Sequence, residues 1–346
     1  MKTPSRGKDQ NYVFLICSER CGSNLISTIL GAHSKVMSPP PYHFARDVIL
    51  NWRLRDDPEA WAVVKGQLLH RAKMLDSEET AARLAAWMDK HPQASAGELA
   101  RFVYAGLDPK KGATTVFVKE NNLHRVMFFI LSAFPDAKFV FQVRDPRDYL
   151  ASAQARKGFW GGNKFGSNRH ALEVWRNDQL GGLAILGLLG PERVFFQRYE
   201  DLVSRPRGVL EPLCGFLGLK FEAAMLAFHE SDKAQRLGDS GSARANVGKP
   251  LMAPNFGKYR KQLSGGQIRM VETWLGDVMD ELGYPRDLVK PGTTRGLRTV
   301  GPQLTEPFER LINGEVEPFY TTGQKRFLRK LAGTAPVVTP AYDRKG

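Results

Sequence analysis

Short apolar runs, each followed by a polar segment, recur along the chain and predict buried strands. The first, Tyr12–Cys17, is continuously apolar, which is typical of a strand covered on both faces. Similar runs cover Val116–Lys119, Lys138–Arg144 and Val194–Arg198. Stretches with helical spacing separate these runs. Because strands that alternate with helices pair in parallel, the pattern predicts an α/β fold with a mainly parallel central sheet flanked by helices.

Helix ends give further local signals. Asp145 is a natural N-cap, Pro146 suits the first helical position, and Gly283 can end the last helix. The predicted helices start near residue 24, cover 123–134, start at 146, and cover 169–189 and 264–282.

The rest of the chain lacks this alternation. Residues 45–113 are helix-rich with no strand signal, which indicates an insertion beside the sheet. Residues 231–258 are rich in Gly, Ser, Asn and Pro and predict a long loop, a feature that often serves as a lid. We expect one domain over residues 1–290, with a helical insertion at about 45–113, and a basic C-terminal extension over 291–346.

Polar segments follow the predicted strands, and they are expected at one edge of the sheet. They are Ser18–Asn24, Lys119–Asn122, Arg144–Arg147 and Arg198–Asp201. Ligands of parallel sheets bind beyond the carboxyl ends of the strands. The sequence therefore predicts that the functional site is built from these segments.

Composition narrows the class of partner only slightly. The chain has 346 residues, 42% of them hydrophobic, and a formal net charge of +14. This charge favours polyanionic partners such as phosphorylated cofactors, acidic glycans, nucleic acid or an anionic membrane surface. Charge alone does not choose among them.

Cysteine usage and hydropathy bear on the compartment. Cys17, Cys21 and Cys214 form neither a disulfide framework nor a CxxC pair, which suits a reducing environment. No apolar run approaches the ~18 residues of a membrane span, and the polar start of the chain lacks the apolar core of a signal peptide. We therefore expect a cytoplasmic protein.

The loop Ser18–Asn24 is a candidate anion site. A strand, a turn with Gly22 and a helix N-terminus point free backbone N–H groups outward, and Arg20, Ser23 and Asn24 add side-chain donors. An ordinary strand-to-helix turn capped by Asn24 is the alternative. The loop is not a GxxxxGK[ST] sequence, which counts against an ATPase or kinase.

Arg144 and Ser152 are a second candidate anion site. Arg144 ends the third predicted strand, and Ser152 lies eight residues later, about two turns into the following helix. The alternative is a salt-bridged strand end, in which Arg144 or Arg147 pairs with Asp145 or Asp148.

Four segments carry a resemblance to a known family. They are SERCGSNLI after the first strand, FPDAKFVFQVRDPRDYLAS at mid-chain, RYEDLV with a downstream FLGL, and GKYRKQLS before a helix that ends in LGYP. In this order and spacing they resemble the sulfotransferases that use 3′-phosphoadenylyl sulfate (PAPS). The resemblance spans residues 12–285 but skips most of 45–113. It implies the three-layer sandwich of P-loop NTPases and PAPS as co-substrate, with an acceptor that is a carbohydrate, a lipid or a small molecule.

The resemblance implies roles for individual residues. The first loop would bind the 5′-phosphosulfate, with Asn24 in place of the more usual Thr, and Arg144 and Ser152 would hold the 3′-phosphate. Tyr199 corresponds to a tyrosine near the nucleotide, and Lys258 or Arg260 lies in a segment that closes over it. The implied cofactor-binding residues are Arg20, Cys21, Gly22, Ser23, Asn24, Arg144, Ser152, Tyr199, Lys258 and Arg260.

The family takes its catalytic base from one of two places. One is a Glu or His about twenty residues after the first loop, and there this sequence offers His43 after three prolines. The ordinary pKa of histidine, ~6.5, suits a base near neutral pH. At the other place Asn121 replaces a histidine, which leaves Glu120 as the alternative base, unless this strand-end carboxylate simply pairs with Lys119. Lys119 resembles a lysine that stabilises charge on the bridging oxygen. His43 packing against Tyr42 or Phe44, without a catalytic role, is the other interpretation.

Other classes of function fit the sequence less well. The scattered histidines form no metal-binding motif, so no metal is expected. A nucleotide-dependent phosphotransferase is disfavoured by the missing Walker lysine. The basic tail would suit binding to nucleic acid or an anionic membrane, but the four polar segments would not, so no nucleic acid is expected as a partner.

Overall fold

The computed structural model of the protein describes residues 10–121, 123–155, 167–231, 234–235, 248–251 and 255–290. In chain order its elements are β1 (Asn11–Ile16), α1 (Ser23–Gly31), β2 (Val36–Met37), α2 (Phe44–Asp47), a 3₁₀ helix (Ile49–Leu54), α3 (Pro58–Leu75), α4 (Glu78–Lys90), α5 (Ala96–Arg101) continued by a π turn (Phe102–Gly106), β3 (Thr115–Lys119), a 3₁₀ turn (Leu123–Val126), α6 (Met127–Ala133), β4 (Lys138–Val143), α7 (Pro146–Gln154), α8 (Asn168–Leu189), β5 (Val194–Arg198), α9 (Tyr199–Ser204), α10 (Pro206–Leu217), 3₁₀ turns (Ala223–Met225 and Phe228–Glu230), α11 (Tyr259–Gln262) and α12 (Gly265–Glu281).

The strands form a parallel sheet in the order β2-β3-β1-β4-β5, which confirms the predicted fold class. The register pairs Leu15 with Lys119 and Val143 with Arg198, so the carboxyl ends of β1, β3, β4 and β5 lie at one edge. The predicted convergence of the four polar segments is therefore confirmed.

The strand order creates a switch point beside β1. After β1 the chain proceeds to β2 and β3 on one side, and after β4 it proceeds to β5 on the other. Because the loops that follow β1 and β4 leave in opposite directions, a crevice opens between them at the edge of the sheet. The two candidate anion sites, Ser18–Asn24 and Arg144–Ser152, lie on either side of this crevice.

Aromatic side chains fill one face of the two central strands. Phe14 contacts Phe134 and Phe139, with ring centroids 5.2 and 6.0 Å apart. On the same face α8 packs so closely that a Cβ at Gly182 would stand 2.2 Å from the ring of Phe141. This close packing fixes α8 against β4 and, with it, the side chains that α8 sends toward the edge of the sheet.

Predicted and observed elements differ where the sequence signal is short. β2 is a two-residue edge strand, too brief to produce a period-two pattern, and was not predicted. The predicted helix over 123–134 is a 3₁₀ turn followed by α6. α7 begins as predicted, with Pro146 in its first turn and the Asp145 side chain accepting from the N–H of Arg147 at 2.8 Å.

The segment 45–113 is described throughout and is helical, as predicted, with no residue in a strand. The division into a domain over 1–290 and an extension over 291–346 stays a prediction. Residues 291–346 lie outside the described residues, as does most of the predicted loop over 231–258.

Candidate active site

A cleft of about 280 Å³ opens at the switch point between β1 and β4. It brings together eight of the ten residues predicted to bind the cofactor. The described residues that line it are Arg20, Gly22, Ser23, Asn24, Leu25, Arg144, Asp148, Ser152, Ala155, Tyr199, Val203, Pro250, Leu251, Asn255, Lys258 and Gln262.

The loop after β1 places a helix N-terminus at the cleft. Gly22 is the N-cap of α1, has a φ of 83° and supplies no side-chain cap. A Cβ at this position would stand 2.4 Å from the ring of Tyr199, so glycine is required by both the conformation and the space. The first intrahelical bond found at this end runs from Ile26 N–H to the Gly22 carbonyl. The N–H groups of Ser23 and Asn24 precede that bond and can bind an anion.

Two arginines join this loop to the segment after β4. Arg20 Nε donates to Ser152 Oγ at 3.1 Å, and Arg144 donates to the Arg20 carbonyl at 2.9 Å. The Arg144 guanidinium also lies 4.7 Å from the centre of the Tyr199 ring. Its Nε is buried and has no hydrogen-bond partner among the described residues.

The salt-bridged alternative for the strand end holds for Arg147 and not for Arg144. Arg147 is 1% exposed and lies 2.7 Å from Asp145 and 2.9 Å from Glu272 on α12. These ion pairs lock α7 against α12. Arg147 is therefore structural, whereas Arg144 faces the cleft.

The third wall of the cleft is the segment 255–259. Asn255 Nδ2 donates to the Tyr199 hydroxyl at 2.8 Å, and its carbonyl accepts from Arg144 at 3.5 Å. Lys258 lines the cleft. Arg260 does not; its guanidinium lies 4.6 Å from the Tyr259 ring centre and 3.2 Å from Asp287. Of the two cations predicted to close over the nucleotide, Lys258 lines the cleft and Arg260 does not.

Cys21 is also predicted to bind the cofactor but lies below the loop. Its side chain is fully buried, and burial raises the pKa of the thiol well above its usual value. The Cys21 carbonyl accepts from Gln142 Nε2 at 2.6 Å. The residue thus contributes to the shape of the loop and does not line the cleft.

None of the three predicted catalytic residues is among the described residues that line the cleft; they lie at the end of β3 and the start of α2. Lys119 Nζ donates to Asn24 Oδ1 at 2.8 Å, which connects this lysine to the loop after β1. Glu120 is 1% exposed and accepts from the Phe44 N–H at 3.0 Å. His43, half-buried, precedes α2 with a φ of 56°, a left-handed conformation that is uncommon outside glycine.

Burial sets the ionisation of Glu120. Desolvation raises the pKa of this carboxyl to about 8, although the hydrogen bond from Phe44 N–H opposes the shift. Its other oxygen, Oε2, has no hydrogen-bond partner within the described part of the chain. At neutral pH the group is therefore largely protonated and uncharged.

Several residues that hold the loops of the site were not predicted from the sequence. Gln142 interrupts the apolar strand β4 and holds the loop after β1, while Gln197 donates to Gln142 at 2.6 Å. On α8, Gln179 donates to Ser18 Oγ at 2.8 Å and Trp175 to the Arg144 carbonyl at 3.0 Å. A polar residue inside an otherwise apolar strand was the one signal that could have identified Gln142.

The charges in the cleft favour an anionic ligand. Arg20, Arg144 and Lys258 line it, and Asp148 is the one carboxylate among the described lining residues. The described residues contain no group of three or more His, Cys, Asp or Glu side chains that could hold a metal ion. None of the helices described is long and apolar enough to cross a membrane.

Comparisons with known proteins identify the fold and the family of this chain. A solved sulfotransferase domain from the Synechococcus PCC 7002 olefin synthase superposes with a TM-score of 0.57 at 22% identity, covering 79% of this chain and 97% of that one. A second, the sulfotransferase domain from the curacin biosynthetic pathway, has a TM-score of 0.51 at 21% identity and covers 81% and 100%. At these identities the two structures establish the fold.

Sequence comparisons establish the family as well as the fold. A protein-tyrosine sulfotransferase of Drosophila melanogaster is 26% identical over 181 residues, which cover 47% of this chain and 34% of that relative's length. The model of the sulfotransferase family matches residues 12–223, more than half of the chain and the part that contains the loop after β1, Arg144, Ser152 and Tyr199. The chain therefore belongs to the sulfotransferase family.

Proposed function

We propose that this sulfotransferase moves a sulfuryl group from PAPS to a hydroxyl or amine of an acceptor and releases 3′,5′-adenosine bisphosphate. One observation carries the proposal: a single cleft joins the N-terminus of α1 to Arg144 and Ser152. They would serve as two separate anion sites, as a nucleotide with a 5′-phosphosulfate and a 3′-phosphate requires.

The loop after β1 would hold the phosphosulfate. In this proposal the N–H groups at the start of α1 and the side chains of Ser23 and Asn24, which line the cleft, would donate to the bridging oxygen. Lys119, bonded to Asn24, supplies a cation there. As the bond from sulfur to the bridging oxygen breaks, negative charge grows on the departing phosphate, and these donors stabilise it.

Arg144, Ser152 and Lys258 would hold the 3′-phosphate. Arg144 and Ser152 line the same cleft, and the Ser152 hydroxyl is held by Arg20. A guanidinium that offers several donors in a plane is well suited to phosphate oxygens.

His43 would take the proton from the acceptor as the acceptor oxygen or nitrogen bonds to sulfur. It is half-buried and so reachable, whereas Glu120 is 1% exposed and uses one oxygen to accept from Phe44 N–H. We assign Glu120 to holding the turn at His43 in its left-handed conformation. Catalysis by Glu120 itself remains the alternative outcome of the test below.

Substitution of Glu120 by Gln is expected to preserve most turnover and to change the pH dependence of stability. The folded-state pKa of about 8 lies above the ordinary value of 4.5, so the native protein loses stability as pH rises from about 5 to 8. Glu120→Gln keeps an acceptor for Phe44 N–H but cannot ionise. Thermal unfolding at pH 5, 6, 7 and 8 should show the wild type losing stability relative to the variant.

Turnover of the same variant separates the two bases. A loss of 100-fold or more in kcat for Glu120→Gln would make Glu120 the base and leave His43 a packing residue. Parallel stability curves for the two proteins would show that Glu120 is ionised in the folded state.

Binding of 3′,5′-adenosine bisphosphate tests the proposed donor. At about 100 times Kd, a ligand that binds only the native state raises Tm by about 5 °C for a chain of this size. We expect that shift without magnesium, and a smaller one with adenosine 5′-monophosphate, which lacks the 3′-phosphate. No shift at millimolar bisphosphate would refute the proposal, and a shift that requires magnesium would favour a phosphotransferase.

The acceptor class is proposed only as far as hydroxyl or amine. The Drosophila relative is named for protein tyrosine, a phenolic hydroxyl. A screen of labelled sulfuryl transfer should therefore compare a tyrosine peptide with carbohydrates, lipid alcohols and small amines.

A further inference from the structure

A carboxylate lies in a cleft that otherwise offers cations and neutral donors. Asp148, in the first turn of α7, is 2% exposed and lines the same cleft as Arg20, Arg144 and Lys258. A negative charge next to a bound phosphate opposes binding. The Asp148 carboxylate is therefore expected to have another role in the cleft.

The contacts of Asp148 identify that use. Its Oδ2 accepts from Gly257 N–H at 2.5 Å, and its Oδ1 accepts from Tyr259 N–H at 2.9 Å. The two oxygens therefore bond to the residues on either side of Lys258. Both bonds are between backbone N–H and a charged acceptor, which makes them stronger than neutral ones.

The same segment is fixed at other points. Gly257 has a φ of 70°, which reverses the chain so that both N–H groups can reach one carboxylate. Tyr259 is buried, with the guanidinium of Arg147 4.4 Å from its ring centre and its hydroxyl donating to Asp287 at 2.6 Å. Because Arg147 is locked to α12, α7 provides a rigid base for the segment.

We propose that Asp148 is a positioning residue for the donor nucleotide, which holds Lys258 at the cleft by clamping the N–H groups of Gly257 and Tyr259. Those two N–H groups hydrogen-bond to the Asp148 carboxylate and stabilise its negative charge, while the Lys258 ammonium group contributes a positive charge to the cleft. The inference rests on the proposed function, since it concerns the binding of PAPS and its bisphosphate product.

Asp148→Asn is the direct test. Its amide can accept from one N–H group only and turns its own N–H donors toward the other. We expect Kd for 3′,5′-adenosine bisphosphate and KM for PAPS to rise roughly 10- to 100-fold, with kcat at saturating PAPS within a few-fold of wild type. Asp89→Asn is the matched control, since Asp89 is 68% exposed and pairs with Lys65 at the surface.

A cycle with Lys258→Ala shows whether Asp148 acts through Lys258. If it does, the double variant binds the bisphosphate no more weakly than Lys258→Ala alone. Additive losses in the double variant would overturn the proposal, because they would give Asp148 a separate effect.

Hydrogen exchange of the backbone provides a readout without ligand. We expect the amides of Gly257 and Tyr259 to be protected in the wild type and to exchange faster in Asp148→Asn. A variant that loosens the segment but keeps a wild-type Kd would overturn the proposal. If the wild type itself fails to bind the bisphosphate, the proposed function fails, while the exchange data still report on the clamp.

Gly257→Ala tests the segment from its other side, should Asp148→Asn fail to fold. The nearest atom to the added Cβ would be an Arg260 nitrogen at 3.4 Å, so the change introduces backbone strain with little steric conflict. It should also weaken bisphosphate binding, and unchanged binding in this variant would contradict the clamp.

Discussion

His43→Ala is expected to lower kcat by about 10²- to 10⁴-fold, the usual contribution of a general base. His43 is not among the described residues that line the cleft, so Kd for 3′,5′-adenosine bisphosphate should stay within a few-fold of wild type. Steady-state turnover with saturating PAPS and acceptor, combined with calorimetric binding of the bisphosphate, measures the two effects separately.

A histidine elsewhere supplies the control. His91, exposed at the end of α4 and stacked on Trp87 with ring centroids 4.5 Å apart, should tolerate the same substitution with unchanged turnover. Near-normal kcat in His43→Ala would remove this histidine from catalysis and transfer the role to Glu120 or to water. An equal loss in bisphosphate affinity would place His43 among the residues that shape the nucleotide site.

The sheet and the position of the cleft could be predicted because each depends on short, local patterns. Apolar runs such as Val194–Arg198 mark strands that are covered by helices, and Asp145 with Pro146 marks the start of α7. Parallel pairing then requires that the ends of the strands share an edge. The proximity of Arg144 and Ser152 follows from that geometry. Arg144 directly follows the strand, and Ser152 lies two turns into the helix that comes next.

Other parts of the site depend on contacts between distant segments. Asn255 reaches Tyr199 and Asp148 reaches Gly257 across 56 and 109 residues, and no local pattern marks either pair. Contacts with other side chains also determine whether Lys258 and Arg260 face the cleft. Lys258 and Arg260 are two residues apart, yet Tyr259 and Asp287 draw Arg260 away from the cleft.

Glu120 illustrates a limit of a different kind. From the sequence it is a strand-end carboxylate beside Lys119, and an ion pair between the two is a reasonable expectation. In the structure Lys119 bonds to Asn24, while Glu120 is buried against Phe44 N–H. Burial, which the sequence does not give for a polar residue at the end of a strand, is what shifts its pKa.

Arg144→Ala is expected to raise Kd for 3′,5′-adenosine bisphosphate by about 10²- to 10³-fold, since truncating one partner of a buried charge pair costs 2–5 kcal/mol. The variant should also lose most of its preference for the bisphosphate over adenosine 5′-monophosphate, because Arg144 is proposed to contact the 3′-phosphate. Calorimetric titration of both nucleotides measures the preference directly.

The ratio of Kd for adenosine 5′-monophosphate to Kd for the bisphosphate makes this test specific. Arg144 also holds the Arg20 carbonyl and contacts Tyr199, so its loss could loosen the loop after β1 and weaken both nucleotides equally. A local role at the 3′-phosphate predicts a fall in the ratio, whereas general loosening leaves it unchanged. Arg207→Ala, which removes an exposed arginine paired with Glu211, should change neither value. Retention of the full preference by Arg144→Ala would exclude Arg144 as the residue that recognises the 3′-phosphate.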